Sequence, residues 1–312
     1  MALTTKEHFE KNILPFFNIK EYWDKGFKGQ GIVVANIEES NDDDHGSNVC
    51  DTVLTYAPEC KVISFSDLHD YSAVGDDNET IRFPEFVDWC IENKVDIITS
   101  SLNWICDKEE EKEGIRKLYE HGIIFCNCAS NEGDENKFSN KKRTWQFDEE
   151  IICVSGIMIN VNGKVSWSGF NYGEAVDICA IGSNCPTISR ESGSMYSWSG
   201  TSVATPMCAG MLALYKSFDK TLNSKNVFKK LINKMDKTIS YKGFTHKILV
   251  LPKIESVEVE MPNEEIKPYW KIEFEEIWKK ATEKGIVDGT RPNDSVTRNE
   301  LIVILNRLGL IK

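Results

Sequence analysis

Residues 207–215 read Met-Cys-Ala-Gly-Met-Leu-Ala-Leu-Tyr, a run without a charge. A helix of that length with apolar residues on every side is stable only when protein encloses it, so the chain has to build a core around this segment. Just before it, Ser197-Trp198-Ser199-Gly200-Thr201-Ser202-Val203-Ala204-Thr205-Pro206 leads into the helix through small and hydroxyl residues. Ser202 is expected in the first turn. A hydroxyl there stands beside unpaired backbone N–H groups and the positive end of the helix dipole, which suits a nucleophile whose attack creates an oxyanion. The same position suits a plain N-cap serine, so the residues upstream have to decide.

Apolar runs at residues 31–37, 61–65, 95–102, 122–129 and 151–156 alternate with helical patterns at 84–92 and 109–121. A continuous apolar run is what a parallel strand covered on both faces shows. The expected fold class is therefore α/β, a doubly wound and mostly parallel sheet, with its site at the carboxyl ends of the strands. Asn162-Gly163 marks a hairpin turn, and residues 134–150, dense in both charge signs, are expected as a surface loop.

With 312 residues the chain is long enough for one large domain and a small appendage, and its net charge of -12 argues against nucleic acid or an anionic membrane as partner. No apolar run is long enough to span a bilayer, and the charged N-terminus does not read as a signal peptide. A cytoplasmic home is expected. Ten cysteines lie scattered without a Cys-x-x-Cys pair, mostly in apolar runs, and are read as reduced core thiols. His8, His69, His121 and His246 have no metal-site spacing and are expected at the surface or at helix ends.

Gly200-Thr201-Ser202-Val203-Ala204-Thr205-Pro206 resembles the Gly-Thr-Ser-Met-Ala-x-Pro nucleophile motif of the subtilisin-like serine proteases, with Val203 at the usual Met. That family orders its triad along the chain as acid, His, Ser. His45-Gly46-Ser47-Asn48-Val49 resembles the family's His-Gly-Thr-His-Val, and the strand at 31–37 ends in Glu38 where the family has its triad Asp. The resemblance, nearest in character to intracellular subtilisins, implies Glu38, His45 and Ser202 as catalytic residues. It implies Asn131, within Ala129-Ser130-Asn131-Glu132-Gly133, as the oxyanion-hole donor. Ser101, Leu102, Asn103, Ala129 and Ser130 would line the substrate cleft, with Trp104 narrowing or covering it.

Two departures concern the triad. Glu replaces Asp, and one extra methylene moves a carboxylate by on the order of 1 Å, a displacement that can cost about a hundredfold in rate. Only six residues separate Glu38 from His45. Seven steps of chain still span about 23 Å, so the contact is allowed. Asp43 and Asp44 are alternative acids. No metal or other cofactor is required by this chemistry; relatives carry structural calcium, for which this sequence has no motif.

Residues 1–17, with Leu14-Pro15-Phe16, are expected as an N-terminal extension to a protease domain at 18–254. Relatives use a similar element to block their own site; an apolar strip pinned to the domain surface is the simpler reading. Residues 255–268 are acidic with two prolines and read as a linker. Residues 269–312 resemble a single surface-layer-homology-type repeat, with Thr297-Arg298-Asn299-Glu300 as a capping box, and are expected to be a small helical module with a partner-docking or packing role, bacterial-wall binding being the alternative. The function implied is a serine endopeptidase acting on peptide or protein substrates. The rival is a pseudoprotease, a binding or regulatory protein on the same scaffold, toward which Glu38, Val203, Asn103 and Trp104 lean.

Overall fold

The computed structural model describes residues 3–38, 44–64, 83–102, 106, 108–141 and 143–254. The expected linker and C-terminal module, together with His69, Asn103, Trp104, Asp43 and the side chain of Asp44, lie outside the described residues.

The N-terminal segment is helical, with α1 (Thr5–His8), a π-helical turn at Phe9–Ile13 and α2 (Leu14–Phe16), followed by α3 (Ile19–Asp24). Then come β1 (Val33–Asn36), α4 (Asp44–Tyr56), β2 (Lys61–Ser64), α5 (Phe83–Glu92), β3 (Ile97–Ser100), α6 (Glu109–Glu120) and β4 (Ile124–Cys128). The chain continues through β5 (Ile152–Ile159), β6 (Val165–Trp167), β7 (Ile178–Ile181), β8 (Cys185–Ile188) and β9 (Met195–Trp198) to α7 (Thr201–Phe218). A last hairpin pairs β10 (Thr238–Tyr241) with β11 (Phe244–Ile248).

The main sheet has the order β10-β11-β7-β5-β4-β3-β1-β2, with β6 paired to β5. Pairs from β2 across to β11 are parallel, and β5–β6 and β10–β11 are antiparallel. The expectation of a mostly parallel sheet agrees with this mixed α/β arrangement. Successive side chains of a strand point to opposite faces, and both faces are covered. Val34, Ile97, Ile124 and Cys126 enter one cluster with α7 and Tyr56 of α4. Ala35, Ile98 and Phe125 enter a second with Phe86 and Val87 of α5 and Ile115 and Leu118 of α6. That two-sided burial is why the strands read as unbroken apolar runs.

The charge-free run at 207–215 is the middle of α7, which is buried along almost its whole length and touches β1, β3, β4, β5 and β7. Helix α4 packs on it at Gly210, where an added Cβ would come within 2.7 Å of the Val53 carbonyl and 3.2 Å of the Tyr56 Cβ. A glycine is needed there because the two helices approach too closely for a side chain.

Three expectations change. Residues 4–17 are more than a surface strip, since Phe9, Ile13, Leu14 and Phe17 are buried in the main core cluster and Phe9 packs edge-on against Tyr56. Residues 134–150 include buried Asn136, Thr144 and Trp145, so this stretch is partly core rather than surface loop. His8, at the end of α1 as expected, is nevertheless buried, and so is His246. Nε2 of His8 reaches the Ile159 carbonyl at 3.0 Å while Asn12 Nδ2 donates to its Nδ1, and His246 packs against Trp167. The ten cysteines are all buried and unpaired by disulfides, as read from their apolar settings. At Asn162-Gly163 the chain turns between β5 and β6 with Gly163 at φ +76°.

Candidate active site

Strands β4, β3 and β1 are neighbours in the sheet, and each hands the chain to a candidate residue just past its carboxyl end. Cys128 leads to Asn131, Ser100 to Ser101 and Asn36 to Glu38. The chain passes from β1 out to β2 and then back across β1 to β3, so the winding reverses between β1 and β3. A crevice opens at such a reversal because the flanking connections leave on opposite faces.

Glu38 is buried, at 3% exposure, with one carboxylate oxygen hydrogen-bonded and the other close to a histidine ring. Oε1 accepts the Ser101 backbone N–H at 2.7 Å, and Oε2 lies 2.7 Å from Nδ1 of His45. Burying a carboxylate is costly unless such partners replace water. Asn36 fixes the turn beneath, its Oδ1 accepting the Glu38 N–H and its Nδ2 donating to the Glu38 carbonyl, both at 3.2 Å.

His45 is the second residue of α4. With Nδ1 against Glu38, the tautomer that donates there leaves Nε2 as the basic nitrogen. The ring also meets Trp198 edge-on, with centroids 5.8 Å apart and planes at 88°. Trp198 is held in turn by Nε1, which is 3.1 Å from the hydroxyls of both Thr52, on α4, and Thr187, on β8.

Ser202 is the second residue of α7, half-buried, with Gly200 at φ +143° turning the chain into the helix. Its N–H is one of those that a helix start leaves without an intrahelical acceptor. Its carbonyl is the less obvious feature. Pro206 stands four residues on and has no N–H, so the usual helical hydrogen bond to Ser202 is missing. The Ser101 hydroxyl donates to that carbonyl instead, at 2.9 Å.

Asn131 accepts both the backbone N–H and the hydroxyl of Thr201 on Oδ1, at 2.8 and 3.0 Å. This fixes the amide so that Nδ2 is left to donate at the mouth of the helix. The loop behind it is held by side-chain amides: Asn136 Nδ2 donates to the Ala129 carbonyl at 2.9 Å, and Asn171 Nδ2 donates to Asn136 Oδ1 at 3.0 Å. Ser130 sits at φ +89°, where a side chain is strained. Along the neighbouring wall, Asn127 Nδ2 donates to the carbonyls of Ser100 and Leu102, both at 3.0 Å.

The structure thus links Glu38, His45, Ser101 and Ser202 through direct contacts, and fastens Asn131 to the residue before Ser202. Leu102, Ala129 and Ser130 lie beside these groups in sequence. The parts that sequence reasoning missed are Asn36, Trp198, Asn127 and the second contact of Ser101. Only the last left a readable signal, a proline four residues after the candidate nucleophile. Among the described residues no group of three or more His, Cys, Asp or Glu side chains is arranged to hold a metal ion, and no helix is long and apolar enough to cross a membrane.

A buried carboxylate against a histidine, a serine at a helix start and an asparagine fastened beside it are the residue types a serine hydrolase uses. The sequence matches the Subtilase family over residues 4–248, so the chain belongs to that family and is a serine endopeptidase. It is 25% identical over 299 residues to the major intracellular serine protease of Bacillus subtilis (strain 168), covering 78% of this chain and 91% of that protein. It is 30% identical over 216 residues to an intracellular serine protease of Paenibacillus polymyxa, covering 67% of this chain and 62% of that one. Among solved structures, the prenylagaramide maturation protease PagA superposes with a TM-score of 0.55 at 18% identity, over 72% of this chain and 90% of that one, a likeness of fold.

Proposed function

We propose that this subtilase cleaves peptide bonds with a Glu-His-Ser triad formed by Glu38, His45 and Ser202. The observation that carries the reading is the 2.7 Å contact between the buried Glu38 carboxylate and His45 Nδ1. Ser202 Oγ attacks the scissile carbonyl while His45 Nε2 takes its proton. The oxyanion accepts hydrogen bonds from Asn131 Nδ2 and the Ser202 N–H. Collapse expels the amine, which takes the proton back from His45, and water then hydrolyses the acyl-enzyme by the same base. Glu38 holds the tautomer and stabilises the imidazolium throughout. Peptide or protein is the substrate class, and Ser101, Leu102, Ala129 and Ser130, with Asn103, form the cleft wall.

The two relatives named as intracellular proteases support a cytoplasmic site of action for this chain. Residues 269–312 are proposed to act as a partner-docking module, on the strength of the repeat-like sequence pattern alone. The test of the reading is hydrolysis of a denatured protein substrate, followed by mass spectrometry of the products. Cleavage that is abolished in Ser202→Ala and His45→Ala supports it. Cleavage that survives either change overturns it.

A further inference from the structure

The sequence pattern gives Ser101 only a place in the substrate wall. Its two hydrogen bonds give it something else to do. Its backbone N–H holds Glu38 Oε1 at 2.7 Å, and its hydroxyl holds the Ser202 carbonyl at 2.9 Å. The first residue is the proposed triad acid and the second the proposed nucleophile. They come from elements 164 positions apart in the chain, and one buried residue at the end of β3 touches both.

We infer that Ser101 is a positioning residue that locks the acid and the nucleophile into one register. The inference rests on the protease reading above. Pro206 is what makes it necessary. A helix normally fixes the carbonyl of its second residue with the N–H four residues later, and here that N–H does not exist. Without another donor the first turn of α7, which carries Ser202, would be free to tilt on that side. The Ser101 hydroxyl supplies the missing donor from outside the helix. Because the same residue also grips Glu38, any shift of the β3 end carries acid and nucleophile together rather than apart. The other carboxylate oxygen meets His45, so the Glu38 side chain is fixed from two directions. Displacements of about 1 Å in such a constellation can cost on the order of a hundredfold in rate, which sets the scale of what a lock of this kind protects.

The chemistry separates this role from a subsite role. Ser101→Ala removes the hydroxyl and leaves the backbone N–H, and Ser101→Thr keeps a hydroxyl. Each variant is checked for an unchanged urea midpoint, then assayed for peptide hydrolysis and for inactivation by a small fluorophosphonate that carries no peptide. The fluorophosphonate reports the nucleophile without occupying the substrate wall. Ser101→Ala is expected to lower kcat by about ten- to a hundredfold with KM changed by less than about twofold, and to slow inactivation by the same factor. Ser101→Thr is expected to recover most of both. A raised KM with unchanged kcat and an unchanged inactivation rate would make Ser101 a subsite residue only and overturn the inference. Failure of the folded wild type to react at all would overturn the protease reading, and this inference with it.

Discussion

His45 Nδ1 and Glu38 Oε2 are 2.7 Å apart, and the carboxylate that makes this contact is 3% exposed. In the proposed triad Glu38 stands where the family has aspartate. Its second oxygen is engaged by the Ser101 N–H, so the longer side chain spans two partners, one from the start of α4 and one from the end of β3. Glu38→Asp, although it restores the residue the family uses, is expected to lower kcat/KM by about a hundredfold, because the carboxylate retracts by on the order of 1 Å. Glu38→Gln keeps the reach and loses the charge, and is expected to cost up to about ten thousandfold, the loss known for the corresponding amide in a serine-protease triad. Steady-state kinetics on one peptide substrate measures both. A Glu38→Asp variant as active as the wild type would remove the geometric part of this explanation.

Asn131 offers a cleaner separation of roles, since its two amide atoms do different things. Oδ1 accepts the Thr201 N–H and hydroxyl, and in the proposed mechanism Nδ2 donates to the oxyanion. Asn131→Asp keeps the acceptor and removes the donor. Both Asn131→Asp and Asn131→Ala are expected to reduce kcat by about a hundred- to a thousandfold with little change in KM, the magnitude known for an oxyanion donor in a subtilisin. Only Asn131→Ala should also lower the denaturation midpoint, through the lost cap.

The packing of α4 on α7 sets the distance between the helix that carries His45 and the helix that carries Ser202. Gly210→Ala would push a Cβ to within 2.7 Å of a backbone carbonyl that cannot swing away. A destabilisation of about 1–3 kcal/mol is expected, read as a lower urea midpoint at unchanged slope. Activity should fall as well, because the helices can relieve the clash only by moving apart.

Burial holds the pKa of His8 and of His246 below the ordinary histidine value, opposed in each case by a hydrogen bond to a backbone carbonyl, of Ile159 and Val176 respectively. The unfolded chain therefore binds these protons more readily than the folded one. Stability is full above the unfolded pKa of about 6.5 and is lost as pH falls from there toward the lower folded values. Urea midpoints measured from pH 7.5 down to pH 5 should decline, and His246→Phe should flatten the decline. Nε2 of His246 is buried without a hydrogen-bond partner among the described residues, so phenylalanine removes the titration and sacrifices only the one hydrogen bond to the Val176 carbonyl.

Much of this fold was readable because its strands are buried on both faces and its central helix on all sides. Such elements carry their environment in their own composition. The candidate site drew its residues from stretches where residue types recur at fixed spacing, as in Gly200 to Pro206 and His45-Gly46. What escaped were contacts between segments far apart in the chain. The helices before Phe17 read as an extension because the groups that receive them, Tyr56 and Ile159, are distant in sequence. Trp145 and His246 lie among polar neighbours, and a charged stretch gives no sign that one aromatic in it turns inward. Ser101 looked like cleft wall because the hydrogen bond from its hydroxyl to Ser202 leaves no trace around Ser101 itself, its one sign being the distant Pro206.

The most direct measurement is the mass of the intact protein after exposure to a fluorophosphonate, made on the wild type, Ser202→Ala, His45→Ala and Glu38→Ala. The expected result is a single adduct on the wild type that maps to Ser202, is absent from Ser202→Ala and forms far more slowly in the other two. A folded wild type that gains no mass, or an adduct that forms equally fast without Glu38, would contradict a Glu-His-Ser triad.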